Sequence, residues 1–433
     1  MAESTLTALL FMAKERYANY IVEQENVEPM LLELLERDET MDYDSGGKYW
    51  LFPVQLPGGE SVGAATEGGN LPGGPEGSIA LRGAQGRINP KLNYLTERIT
   101  GLTEASITKG VKGFFDALDR SIESKTKYAR NDMSRQMWGT GRGNLGAVQA
   151  VANGAGTNDR VTLTADSNMQ YIRHSMRVDF WTSTLVTRNS AANQTTLDVG
   201  FNVTNVNYAA RTFDVVDNAG APVNLATIGQ AAVVATNVVV RENVGIGTGA
   251  TGEGNEITGL QQLVDDGTLT VAIMEFINRT TTPEWRSHID ANGGTLRNIT
   301  EDLMQSMDDT IQTFSGKEVT FIGMGKGQRR KLIAIGLPQV QHLSAKLHLG
   351  YTEIDWNGKK FFIDRQAPLR EIYMGNLAQI CRFIVKPWGS IDKVAGGERL
   401  PHRDVAELAY GTYMNIGIKQ SNAWGRIRDL AEP

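Results

Sequence analysis

Cysteine is almost missing from this chain: Cys381 is the only one in 433 residues. One thiol excludes an intramolecular disulfide and cannot complete a zinc finger, which fits a reducing compartment. Histidine is scarce too. His174, His288, His342, His348 and His402 include no pair at H-x-x-x-H spacing, so no metal site is expected. No apolar run approaches the roughly 18 residues that a membrane span needs, and no basic segment precedes an apolar stretch as in a signal peptide. Positive charge is not in excess either. Lys and Arg number 43 against 49 Asp and Glu, a net charge of −6. That excludes a basic, sequence-reading nucleic-acid binder, but not a protein that merely walls nucleic acid in. With 41% hydrophobic residues the chain can bury a sizeable core. Glycine is plentiful, 47 residues, and clustered.

Along the chain, residues 4–22 and Glu28–Arg37 have helical spacing and read as an arm whose apolar faces are buried elsewhere. Lys48–Leu56 is extended and aromatic-rich. The glycine run Pro57–Gly77 follows, then strand-like Ser78–Arg82 and Ile88–Leu95. Two extended arms around a compliant tip predict a projecting β-hairpin. Leu102–Trp138 is the longest helical candidate, with Ile107, Val111, Phe114, Leu118 and Ile122 on one stripe. Residues 180–245 are Thr-, Val- and Asn-rich, and Thr195–Val203, Arg211–Val216 and Val233–Arg241 read as strands of a small β module. From 256 onward the pattern is mixed. Helices are predicted at Leu296–Phe314 and Gln328–Ile335, a strand at Glu318–Gly323, and a hairpin around Asn357-Gly358.

Motifs that suggest chemistry do not survive their context. Gly59-Glu60-Ser61-Val62-Gly63 matches the G-x-S-x-G nucleophile elbow, but that elbow needs a buried strand before the serine and a helix after it. Glycines and prolines flank it on both sides here, so Ser61 reads as a loop residue. Gly323-Met-Gly-Lys-Gly327 lacks the Ser/Thr of a P-loop and the third glycine spacing of a dinucleotide site, and reads as a tight strand-to-helix turn. The doublets Asp265-Asp266 and Asp308-Asp309 read as solvated faces, and Cys381 as a buried small hydrophobe. No catalytic, cofactor or metal residue is assigned, and no enzyme activity is expected.

An arm, a glycine-tipped hairpin, a long helix and an α+β body suit a tile that binds its neighbours on every side. In this order of parts the chain resembles the tailed-bacteriophage major capsid proteins of the Hong Kong 97-type fold. Further segments with that texture are Gly259–Leu263, Pro283-Glu-Trp285, the strand–helix run VTFIGMGKGQRRKLIAIG, Tyr413–Gly417 and Gly425–Ile427. The resemblance implies an N-terminal arm at 1–45, an extended loop (E-loop) at 46–97, and a spine helix with peripheral domain at 98–180. A β-rich insertion at 181–250, peripheral continuation at 251–294, an axial domain at 295–399 and a returning strand at 400–433 complete it. It also implies hexamers and pentamers in an icosahedral shell assembled in the host cytoplasm around double-stranded DNA. The implied partners are a separate scaffolding protein, a portal and, in some shells, a decoration protein; no membrane is involved. Some relatives crosslink through a lysine near the E-loop tip. No lysine lies between Lys48 and Lys91, so that crosslink is not expected. Candidate inter-subunit contacts are Trp50, Phe52, Gly68, Gly69, Gly73, Gly74, Gly77, Arg82 and Arg87. Two other readings remain open: an encapsulin-like compartment of the same fold, and a serine hydrolase using Ser61.

Overall fold

The structure is a computed structural model. It describes Leu31, Leu34, Leu35 and residues 49–56, 66–67, 82–100, 117–152, 158–182, 188–189, 200–217, 219–225, 233–242, 254–268, 272–340, 355–391, 398–399 and 405–432. Ser61 and the tip glycines 68, 69, 73, 74 and 77 lie outside them, as do most of residues 1–48 and the stripe residues Ile107, Val111 and Phe114.

The aromatic run forms β1, Trp50–Leu56, which pairs antiparallel with β2, Arg82–Ile88, from Trp50↔Ile88 to Leu56↔Arg82. Trp50 and Leu56 are buried and Phe52 and Val54 half-buried, whereas Leu51, Pro53 and Gln55 are exposed, as a strand's two-residue period dictates. The stretch Ile88–Leu95, expected as one strand, is broken at Asn89-Pro90, because proline has no N–H to continue the ladder. The chain then enters β3, Lys91–Thr100, which leaves the hairpin and joins the body.

Helix α1, Ala117–Trp138, ends where the glycine-rich turn predicts. Its last two turns are buried except at Asp132, and the buried set includes Asn131, Ser134, Arg135 and Gln136. Next come β4 (Asn144–Ala152), β5 (Asp159–Leu163), β6 (Arg177–Trp181), β7 (Arg188–Asn189), β8 (Phe201–Asn207), β9 (Thr212–Val216) and β10 (Val238–Arg241). The order β10-β4-β5-β9-β8-β6 closes on itself because β10 also pairs with β6, and β7 extends the β6 edge. The β module is therefore a closed antiparallel barrel, and it begins at Asn144 rather than near 181. The texture of β4 and β5 resembles the body's, so only pairing assigns them to the barrel. The span Val233–Arg241 is a turn through Asn237 and a strand only from Val238. Phe180, Phe201, Phe213, Val161, Val203 and Val215 fill the interior and leave it solid.

The body starts with a single helical turn, α2, Leu260–Leu263, followed by the small hairpin β11 (Ile273–Met274) and β12 (Ile277–Asn278). Strand β13 (His288–Asp290), helix α3 (Glu301–Ser315), strand β14 (Phe321–Met324) and helix α4 (Lys326–Val340) succeed them. Thr300 caps α3 by accepting from the Leu303 N–H at 3.2 Å. Strands β15 (Asp355–Trp356) and β16 (Lys359–Ile363) turn on Asn357 and Gly358, both at positive φ, as the Asn-Gly pair predicts. With β17 (Ile372–Gly375) and β21 (Trp424–Ile427) they form a sheet ordered β13-β21-β17-β14-β16-β15. A second body sheet has β20 (Val405–Ile418) at its centre. It carries β3 on one edge, and β18 (Ile380–Ser390) and β19 (Glu398–Arg399) on the other.

The main core joins α1, both body sheets, α2 and Trp285 through Met137, Trp138, Leu260, Trp285, Tyr373, Ile416 and Trp424. Leu31 and Leu35 are 1% and 2% exposed in the same core. That part of the arm is thus buried against its own chain. The acidic doublets correct the expectation of solvated faces. Asp265 is buried 3.8 Å from the buried Arg279, and Asp308 is buried 2.5 Å from Lys359. Only Asp309 is fully exposed, and Asp266 is partly so. In each doublet one residue turns inward to a cation distant in sequence. Cys381 is buried, and no helix among the described residues is long and apolar enough to cross a membrane.

Candidate assembly site

The β1–β2 hairpin is held on the body by contacts of three kinds. The first is apolar. Trp50 and Ile88 pack with Cys381 and Phe383 of β18, the Trp50 and Phe383 rings 5.2 Å apart. Phe52 lies across the strand from Gly86, whose Cα faces the ring so closely that a Cβ there would sit 2.3 Å from it. Gly86 lets the ring lie flat, and Phe52 reaches on to Trp285, centroids 6.3 Å apart. The second is cation–π. The Arg87 guanidinium lies between the rings of Phe276, at 3.4 Å, and Tyr49, at 4.4 Å. Its backbone N–H also donates to the Glu275 carbonyl at 2.9 Å. The third is ionic and exposed: Arg82 pairs with Glu284 at 3.0 Å, which adds little stability.

Of the sequence-assigned contact residues, the structure thus brings Trp50, Phe52 and Arg87 together at the root, and places Arg82 opposite Leu56 at the other end of the paired strands. Trp50 is only 7% exposed. Its side chain is spent on its own body, so it cannot present a face to a neighbour. The glycines at 68, 69, 73, 74 and 77 lie outside the described residues. Sequence reasoning missed the receiving side, namely Trp285, Phe383, Glu275 and Phe276. Of these only Trp285, in Pro-Glu-Trp, belongs to a segment with a sequence signal. Glu275-Phe276 carries no turn residue that would flag it.

A second feature lies beyond the root. A groove of about 380 Å³ runs between β3, α1, Arg241-Glu242 and Asn255-Glu256, with Leu92 (49% exposed) and Tyr94 (55%) among its lining residues. Its floor is charged. Asp132 of α1 pairs with Arg135 at 3.1 Å and with Arg241 of the barrel, and Arg135 pairs with Glu256. Burial alone would raise the Asp132 carboxyl, but the two guanidiniums outweigh it and hold the group at about 2. Lys91 donates to the Gly254 carbonyl at 2.7 Å. The barrel is further tied to the body by Arg370–Asp166, by Arg365 donating to Gln170 Oε1 at 2.7 Å, and by Tyr171 donating to the Gln366 carbonyl. Among the described residues no cluster of His, Cys, Asp and Glu could hold a metal ion.

No family model matches the chain, and no curated protein matches it. Solved structures do. The capsid of a native GTA particle matches over 100% of both chains at 7% identity, with a TM-score of 0.47. A structure from Microbacterium phage Oxtober96 matches over 99% of both at 8% identity, with a TM-score of 0.43. A chain of the cyanophage A-1(L) capsid asymmetric unit superposes with a TM-score of 0.54 at 11% identity, over 99% of this chain and 98% of that one. This last likeness of fold runs end to end. The chain has the fold of a phage capsid protein.

Proposed function

We propose that this chain is the shell-forming major capsid protein of a tailed phage, of the Hong Kong 97 type. It assembles as hexamers and pentamers around double-stranded DNA, with a scaffolding protein and a portal as partners. The observation that carries the reading is the cyanophage capsid match over 99% of this chain and 98% of that one. A likeness confined to one domain would leave the rest of the chain free for another role. The hairpin supports the reading physically. The inner face of β1–β2 is covered by its own body, which leaves the other face, with Leu51, free for a contact completed by another copy. Leu51, Leu92 and Tyr94, each between 45% and 55% exposed, offer apolar surface to such a contact. In this scheme Trp50, Phe52 and Arg87 set the root, Arg82 holds the far end of the paired strands, and Gly68, Gly69, Gly73, Gly74 and Gly77 serve the reach.

The test is co-expression of the full chain with its scaffolding protein, followed by size-exclusion chromatography and negative-stain microscopy. Megadalton icosahedral particles are expected, and particles from infected cells should hold nuclease-protected double-stranded DNA. Only small oligomers, even with scaffold, would overturn the proposal. Enzyme cargo in place of DNA would favour a compartment. Shortening Gly68–Gly77 should remove particles while leaving subunit melting unchanged.

A further inference from the structure

Two hairpins in the body turn on two residues at positive φ. In one they are Asn357 (51°) and Gly358 (73°), which tolerate that region. In the other they are Glu275 (51°) and Phe276 (65°), which do not. A glutamate and a phenylalanine in succession in the left-handed region make a strained turn, and such strain persists only where the surroundings over-determine it. The flanking Met274 and Ile277 are 4% and 3% exposed and pin the turn's base in the main core. Three further contacts hold its crown. The Glu275 carboxylate accepts from the Ile418 N–H at 2.8 Å, the Glu275 carbonyl accepts from the Arg87 N–H at 2.9 Å, and the Phe276 ring lies 3.4 Å under the Arg87 guanidinium. Two of the three come from one residue, Arg87 of the β1–β2 hairpin. That grip is itself light. Arg87 Nε has no hydrogen-bond partner among the described residues, and Phe276 remains 39% exposed.

We propose that the Glu275–Phe276 turn is a strained latch on the root of the β1–β2 hairpin. It fixes the arm's angle in the free subunit through Arg87. When a neighbouring copy draws the arm away, the turn relaxes, and the strain released offsets part of the free energy of parting Arg87 from Phe276 and Glu275. The two arm positions therefore lie close in free energy, and a modest difference in how neighbours hold the arm selects between them. The role in assembly rests on the shell reading above; the latch itself does not, because it acts within one chain.

Hydrogen–deuterium exchange on the full-length, unassembled chain tests it. Phe276→Ala keeps the strained backbone but removes the ring, whereas Phe276→Gly removes both ring and strain. Both should speed exchange in Trp50–Leu56 and Arg82–Ile88 by about tenfold, leaving β14, β17 and β21 unchanged. Phe276→Gly should also melt at a higher temperature than Phe276→Ala. Arg87→Met leaves the turn residues untouched and should loosen the same strands, which keeps the test decisive if a Phe276 variant misfolds. Unchanged arm exchange in the Arg87 variant, or a Gly variant no more stable than the Ala variant, overturns the latch. Neither result touches the shell reading, which microscopy of particles decides separately.

Discussion

A glycine's role here depends on what faces its Cα. At Gly259, a Cβ would lie 2.3 Å from the Gln136 carbonyl and 2.5 Å from that of Gly139. Backbone at the end of α1 meets backbone at the start of α2, and neither can yield alone. At Gly86 the obstacle is the far end of the Phe52 ring, which can swing away. Gly259→Ala should therefore cost about 3 kcal/mol or more, and Gly86→Ala about 1 kcal/mol. Denaturant midpoints of the two variants check the ranking; equal losses would contradict it. The buried acids teach a related lesson. Burial pushes Arg279 down to about 10 despite Asp265 beside it, so the pair is a desolvated structural joint rather than a surface feature. Nothing in Asp265-Asp266 as a dipeptide says which carboxylate turns inward. That choice depends on a partner brought in by the β11–β12 hairpin.

Among elements, α1 is the one the other parts meet. Its Asp132 ties it to β10 through Arg241, and the Trp138 Nε1–H reaches Asp364 after β16 at 2.8 Å. Because Asp132 sits at about 2 in the folded chain against an ordinary 3.8, its contribution is fully present above pH ~4 and is lost as pH falls toward 2. It amounts to about 2 kcal/mol. Asp132→Asn should flatten the acid loss of stability between pH 4 and 2. At pH 7 it should cost about 3 kcal/mol, since Arg135 and Arg241 lose a buried partner. Urea unfolding at several pH values measures both effects. Elements with local signals were legible in the sequence: the Asn357-Gly358 hairpin and the end of α1 before Gly139, whereas α3, expected from Leu296, starts only at Glu301 behind its Thr300 cap. Elements defined by pairing were not. The barrel's first strands, β4 and β5, declare themselves only by closing on β10 and β9. The turn at Glu275-Phe276 uses residues that local propensity assigns to anything but a turn, since tertiary contacts hold it in place.

At the scale of the whole molecule, the barrel is a side branch. The chain enters at Asn144 and leaves at Arg241 beside its own entry, with the Arg241 N–H donating to the Gly143 carbonyl at 3.1 Å. It has its own core and a sheet without free edges over most of its circumference. Residues 144–241 expressed alone should unfold cooperatively, and a chain with that segment replaced by a short Gly-Ser linker should keep a folded body. Circular dichroism melts of both fragments test this; a molten remainder would show that the barrel is integral to the body's core.

The pairing of β3 with β20 is of the opposite kind. Leu92 meets Tyr413 and Leu95 meets Tyr410, residues separated by most of the chain. On a ribosome making ~10 residues per second, β3 would wait about 30 s for its partner, while the barrel between them could already have closed. The second body sheet is thus completed only once β20 has been made, so a chain stopped before Val405 lacks the sheet that receives the hairpin root. Topology times the seating of the hairpin to the synthesis of β20, after the barrel that precedes it.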